Sequence, residues 1–246
     1  MIDKMSVIPL YHQIEKDVKD KIKSNYYPVN EPIPSEIDLI KEYNVSRMTV
    51  RLAIEELEKE GYVKKIQGKG TYVIKRKLTQ ELNTITSWSE TLREQGMYPD
   101  VEILDIIELE ASAEMAKKMS IKPKSKLYFI KRLKSVDNEP IGISQIYIVA
   151  DIVPGIINDP LIKDSVYQVM ESKYCIELAV ASEVVEARGA SKEEAALMKV
   201  EIGTPLITVK RLTSDAFGNT IELSEITSRA DRYSYKVTLR GRKKWK

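Results

Sequence analysis

Arg47 and Arg51 lie four residues apart, with Thr49 between them, at the start of a segment with helical periodicity. At that spacing the two side chains share one helix face. Guanidinium forks reach guanine O6 and N7 or phosphate oxygens, and a hydroxyl reaches either, so the chemistry on offer is reading a nucleic acid. A solvated amphipathic helix would carry the same residues. The second candidate is Gly68-Lys69-Gly70, a lysine flanked by residues without side-chain bulk, suited to close approach to a phosphate backbone or a minor groove.

A third group looks different. Ser87-Trp88-Ser89-Glu90 opens another helical run, and a serine-lined helix N-terminus presents free N–H groups that suit a phosphate or carboxylate. Ordinary helix capping explains those serines equally well. Arg132 and Lys134, two apart on a strand-like run, face one side and could add positive charge.

Little else in the chain can make or break bonds. The single histidine, His12, and single cysteine, Cys175, supply neither a catalytic set nor a disulfide, and no metal or cofactor is signalled. Cys175 reads as a buried small hydrophobe. Hydrophobic residues make up 43% and charged residues 31% of the 246, which fits two globular domains. No apolar run reaches the length of a bilayer span, and Met1-Ile2-Asp3-Lys4 lacks the apolar core of a leader, so the cytoplasm is the expected compartment. The net charge of +2 conceals segregation: residues 1–77 carry 15 basic and 12 acidic side chains, 78–235 carry 18 and 25, and 236–246 carry six and none. Only part of the chain is therefore expected to meet a polyanion.

The elements that must position these residues follow from periodicity. Leu10, Ile14, Val18 and Ile22 form one helix face, and three prolines break the chain between Asn25 and Pro34. Ser35 caps a short helix that ends near Tyr43, with Asn44 as the turn residue, and Ser46 caps a longer helix whose buried side is Val50, Ala53, Ile54 and Leu57. Tyr62–Ile66 and Thr71–Ile74 flank the glycine turn as a hairpin. The order of helix, helix, turn, capped basic helix and basic hairpin predicts a winged helix-turn-helix over 1–77. Residues 78–84 read as a linker. Beyond it, strands at 101–109, 126–136, 141–149, 183–188, 206–214 and 221–228, with helices near 88–95, 112–119, 166–172 and 191–198, predict an α+β domain over 85–246 with an antiparallel sheet.

Pro9-Leu10-Tyr11, Pro34-Ser35-Glu36, Val45-Ser46-Arg47-Met48-Thr49-Val50-Arg51-Leu52-Ala53, Glu60-Gly61 and Gly68-Lys69-Gly70-Thr71-Tyr72-Val73 together resemble the GntR family of transcriptional regulators. That resemblance implies DNA contact by Arg47, Thr49, Arg51 and the Gly68–Gly70 tip, with Ser35, Glu36 and Ser46 on the same surface. Ile37 stands where many members have an arginine, which puts the usual operator sequence in doubt. Thr86-Ser87-Trp88, Asn138-Glu139-Pro140, Ser165-Val166-Tyr167, Gly203-Thr204-Pro205-Leu206 and Asp231-Arg232-Tyr233 resemble the UTRA sensing domain of the HutC-type subgroup, which has the chorismate-lyase fold.

By that second resemblance Arg132 is a phosphate partner, and Ser165, Tyr167 and Glu222 line the effector pocket, to which the helix start and strand alternation add Ser87, Trp88, Ser89 and Lys134. Ser144 and Ser228 fall at effector positions where amino-sugar-phosphate sensors have glutamate and tyrosine. The resemblance implies a homodimeric repressor on a pseudo-palindromic double-stranded DNA operator, released by a small molecule such as a sugar phosphate. Two rivals stay open at this point: an enzyme of the chorismate-lyase type fused to a DNA-binding head, and an adaptor using the winged helix as a protein-binding surface.

Overall fold

The computed structural model describes residues 2–75, 77–239 and 241. The chain divides into two compact units, Met1–Lys77 and Leu78–Lys246. In the first, helix α1 (Leu10–Lys23) turns Ile14 and Val18 inward. Helix α2 (Glu36–Tyr43) starts at Ser35, whose hydroxyl accepts the Asp38 amide, and stops at Asn44, held at φ 49°. Asparagine tolerates that left-handed turn with little strain. Ser46 then caps α3 (Arg47–Lys59) by accepting the Thr49 amide.

Val50, Ala53, Ile54 and Leu57 of α3 pack with Ile14, Leu39 and Tyr43 and with Val63 and Val73 of the hairpin in a single core. Strands β1 (Val63–Ile66) and β2 (Gly70–Val73) pair antiparallel, with Ile66 opposite Gly70. The proline-broken loop lies along β2, where the Ile33 amide donates to the Thr71 carbonyl at 2.8 Å. The wing is thus fastened to the helical body by backbone bonds as well as by packing.

The second unit is built on an antiparallel six-stranded sheet. In chain order its elements are β3 (Leu78–Glu81), α4 (Trp88–Glu94), β4 (Pro99–Glu110), α5 (Ala113–Met119), β5 (Lys126–Val136), β6 (Glu139–Val149), α6 (Val166–Tyr174), β7 (Val180–Gly189), α7 (Lys192–Met198), β8 (Pro205–Ser214), β9 (Thr220–Arg229) and β10 (Tyr233–Lys236). The sheet order is β4-β5-β6-β9-β8-β7. Alternation along the strands splits the core between two faces. Tyr128, Ile130, Ile146 and Ile148 pack under α6, whereas Ile143 and Leu206 pack under α7 and Leu127 under α5.

Two expectations need correction. Residues 78–84 are not a bare linker: Leu78–Glu81 is strand β3, paired in parallel with β10 so that Leu78 faces Tyr233. Both side chains are buried with Trp88 and Val101. Strands this short carry too few residues to show an alternating pattern. Cys175 is exposed, not buried. It ends α6 at φ 55°, so the backbone turn rather than packing decides its environment. The basic tail from 240 onward lies, apart from Gly241, outside the described residues.

Candidate functional site

In the first unit, three elements meet at Glu36. Lys65 of β1 donates to its Oε1 at 2.6 Å, and the Nε of Arg47 lies 3.8 Å from its Oε2. The hydrogen bond from Lys65 holds the Glu36 carboxyl below its ordinary range. Arg47 is nevertheless 82% exposed along its side chain, and Arg51, one turn on, is 61% exposed and donates to Glu55 at 3.0 Å. Thr49 Oγ1 sits 2.8 Å from Ser46 Oγ, beside the two arginines. At the wing tip, Gly68 and Gly70 adopt φ 76° and 118°, which residues with a Cβ rarely adopt, and they lift an exposed Lys69 between them.

Exposed ion pairs of this kind are worth about 0–1 kcal/mol each. A polyanion can displace such carboxylates at little expense, and the surface is chemically suited to phosphates and guanine edges.

In the second unit, a small pocket of about 30 Å³, partly open to solvent, is lined by residues of the sheet, α4 and the start of α6. Arg132 and Lys134 project into it from β5, Arg211 from β8 and Glu222 from β9. Arg132 is only 7% exposed; its Nε donates to Ser144 Oγ and its Nη1 to the Ile162 carbonyl, both at 3.3 Å. Lys134 is 3% exposed, with its Nζ 5.1 Å from the centroid of the Trp88 ring. Among the described residues, no carboxylate lies within ion-pair distance of either cation. Burial pulls Arg132 down to about 10, and burial together with the nearby charges of Arg132 and Arg211 pulls Lys134 well below the ordinary lysine range.

Among the described residues Glu222 is the only carboxylate buried in this wall, and burial raises its pKa. One of its oxygens accepts from Tyr167 Oη at 2.5 Å and from Thr213 at 3.1 Å, while Oε2 has no partner. Arg211 donates to Glu183 at 2.6 Å, to the Thr86 carbonyl at 3.2 Å and to Tyr167 Oη at 3.0 Å. Burial alone would lower its pKa; Tyr167 and Glu183 outweigh that and hold it firmly charged.

The pocket brings together Ser87, Trp88, Ser89, Arg132, Lys134, Ser165, Tyr167 and Glu222. The Ser87 hydroxyl is occupied in a capping box with Glu90, whose other contact is Ser165 Oγ at 2.8 Å. The caps of α4 and α6 are thereby joined. Two expected residues do not line the pocket. Ser144 is fully buried beneath Arg132, and Ser228 lies opposite Gly142 with its Oγ against that glycine. Both nevertheless sit on the pocket face of the sheet, Ser144 directly across from Arg132 and Ile226, and Ser228 across from Gly142, which itself pairs with Lys134.

Of the polar lining residues, Thr86, Asp164, Arg211 and Ser224 escaped the sequence, as did the apolar Val101, Ile146, Val166 and Ile226. Ser224 stands two positions after Glu222, so strand alternation pointed to it. Arg211 is brought in by its pairing with Ser224 across β8 and β9, a register that no local signal carries.

A winged helix-turn-helix followed by a domain with a charged, concave pocket defines a ligand-responsive DNA-binding protein. Residues 10–73 match the family described as "Bacterial regulatory proteins, gntR family", and residues 94–234 match the UTRA domain. The chain is similar to the HTH-type transcriptional repressor NagR of Bacillus subtilis, 30% identical over 95% of this chain and 96% of the relative. It is also similar to a probable fructoselysine utilization operon transcriptional repressor of Escherichia coli, 26% identical over 96% of both chains. Among solved structures, PhnF from Mycobacterium smegmatis superposes with a TM-score of 0.81 at 21% identity, covering 95% of this chain and all of the other.

The chain belongs to the GntR family, in its HutC-type subgroup with a UTRA domain. It is a DNA-binding transcriptional regulator of the repressor type whose UTRA domain takes a small-molecule effector, and not an enzyme. No helix among the described residues is long and apolar enough to cross a membrane.

Proposed function

We propose that this repressor is released from its operator by a phosphorylated metabolite, a sugar phosphate being the favoured class. One observation carries the reading: Arg132 and Lys134 are buried on one wall of the pocket, neither with a carboxylate at ion-pair distance among the described residues, and Glu222 acts on both only through space. A buried, unpaired cation is costly, and two of them side by side make a vacancy for a dianion. A phosphate would accept from the Arg132 fork and from Lys134, with the first-turn amides at Trp88 and Ser89 able to contribute. The free Oε2 of Glu222 offers an acceptor to a ligand hydroxyl or amine further along the pocket.

In the first unit, Arg47, Thr49 and Arg51 would enter the major groove. Lys69, on the Gly68–Gly70 tip, would track the backbone, with Ser35, Glu36 and Ser46 framing the approach. Two copies of the chain related by a two-fold axis would match a pseudo-palindromic operator. Effector and operator then oppose each other, each weakening the other's binding by the same factor.

The relative named for fructoselysine utilization supports a catabolic role without naming this chain's effector. Isothermal titration of the full-length protein with a panel of sugar phosphates and their unphosphorylated parents tests the reading. At least one phosphate ester should bind, and its parent should not. Tight binding of a neutral or cationic metabolite, with none of any phosphate, overturns it.

A further inference from the structure

Not all of the prospective DNA-reading surface is cationic. Ile37, the second residue of α2, is 65% exposed, and Met48, the second residue of α3, is 63% exposed. Each directly follows a member of the Glu36–Arg47 contact, so the two apolar side chains flank the point where α2, α3 and the wing strand meet through Lys65. Neither belongs to the core that Leu39, Val50 and Leu57 form behind them. Folding gains little from an isoleucine and a methionine that keep most of their surface in water at two helix starts. Each retains apolar area that only an outside partner can cover.

The occupant is constrained by charge. Arg47 and Lys65 meet at Glu36 beside the patch and Arg51 follows one turn along α3, and these cations favour a polyanion over a lipid or a protein core. On the edges of a duplex there is one aliphatic group, the thymine C5-methyl in the major groove. Neither an isoleucine nor a methionine side chain can donate to guanine O6 or N7, so these two positions cannot read guanine.

We infer that Ile37 and Met48 are specificity-determining residues that pack on thymine methyl groups, one or two per operator half-site, next to the bases reached by Arg47 and Arg51. The inference rests on α3 being the reading helix. Burying one methyl group corresponds to about a three- to fivefold change in affinity. Both side chains stand clear of the core, so replacing them leaves the fold intact.

The test uses the full-length protein and an operator selected from random duplexes. Each thymine is replaced in turn by deoxyuridine, which removes only the methyl group and leaves base pairing intact. At one or two positions per half-site the wild type should bind about three- to fivefold more weakly, and Ile37→Ala and Met48→Ala should each abolish the effect at its own position. A selected operator without thymine beside the Arg47-dependent bases overturns the inference, as does sensitivity to uracil that persists in both alanine variants. If instead Arg47→Ala and Arg51→Ala bind like the wild type, it is the assignment of the reading helix that fails.

Discussion

The two units use the same kinds of cation in opposite surroundings. Arg47 and Arg51 in the head are exposed and lightly paired with Glu36 and Glu55. Arg132 and Lys134 in the sensing domain are buried two positions apart on one strand, with no carboxylate at ion-pair distance among the described residues. The head's charges are cheap to hold and individually weak, which suits a partner that presents many phosphates in a row and is bound by their sum. The pocket's charges are expensive to hold and strong once satisfied, as a small ligand with a single anionic group requires. The contrast shows why residue type alone does not assign a ligand: burial and the absence of a counter-charge do.

The largest effect should come from breaking the pocket. Arg132→Met removes the only guanidinium aimed at the vacancy that Glu183 does not already engage, and anion binding should drop at least a hundredfold by titration calorimetry. The loss of two charge-assisted bonds at about 1.5–3 kcal/mol each implies that much. Next, Arg47→Ala or Arg51→Ala should weaken operator binding by about 1–3 kcal/mol in a mobility-shift titration, with the salt slope falling by about one if the lost contact is a phosphate.

Lys134 sharpens the comparison through pH. Its folded pKa is depressed, so below that value folded and unfolded chains both carry the proton and the full burial penalty applies. As pH rises from the folded pKa towards the ordinary value of 10.5, the unfolded chain holds more protons and stability increases. Chemical denaturation across that window should show the rise, and Lys134→Met should flatten it while stabilising the protein by on the order of 1 kcal/mol at neutral pH. An anion favours charged Lys134, so its affinity should fall as pH climbs through the same range. The smallest effect belongs to the head: Glu55→Gln frees Arg51 and should strengthen operator binding by about 0.3–0.5 kcal/mol.

Most of the head was legible in the sequence because its signals are local. Ser35 and Ser46 cap, Asn44 turns, and Val50, Ala53, Ile54 and Leu57 repeat at helical spacing, all within a few residues of one another. The sensing domain was legible strand by strand but not as a sheet. Its pocket depends on the pairing of Arg132 with Ser144 and of Arg211 with Ser224, contacts fixed by tertiary register. Ser144 and Ser228 were expected in the pocket on family resemblance; they stand on the pocket face of the sheet beside Arg132 and Gly142 but are not among the residues that line the pocket. The parallel pair of β3 and β10 joins residues some 155 positions apart, as in the Thr79–Ser234 contact, and no short-range pattern could announce it.

The most direct test is release of a labelled operator fragment from the full-length protein, followed by fluorescence anisotropy during addition of a sugar phosphate or its unphosphorylated parent. The account expects the phosphate alone to lower the anisotropy, and expects Arg132→Met to remain bound to DNA at every concentration. Equal release by the parent sugar, or undiminished release in Arg132→Met, would contradict it.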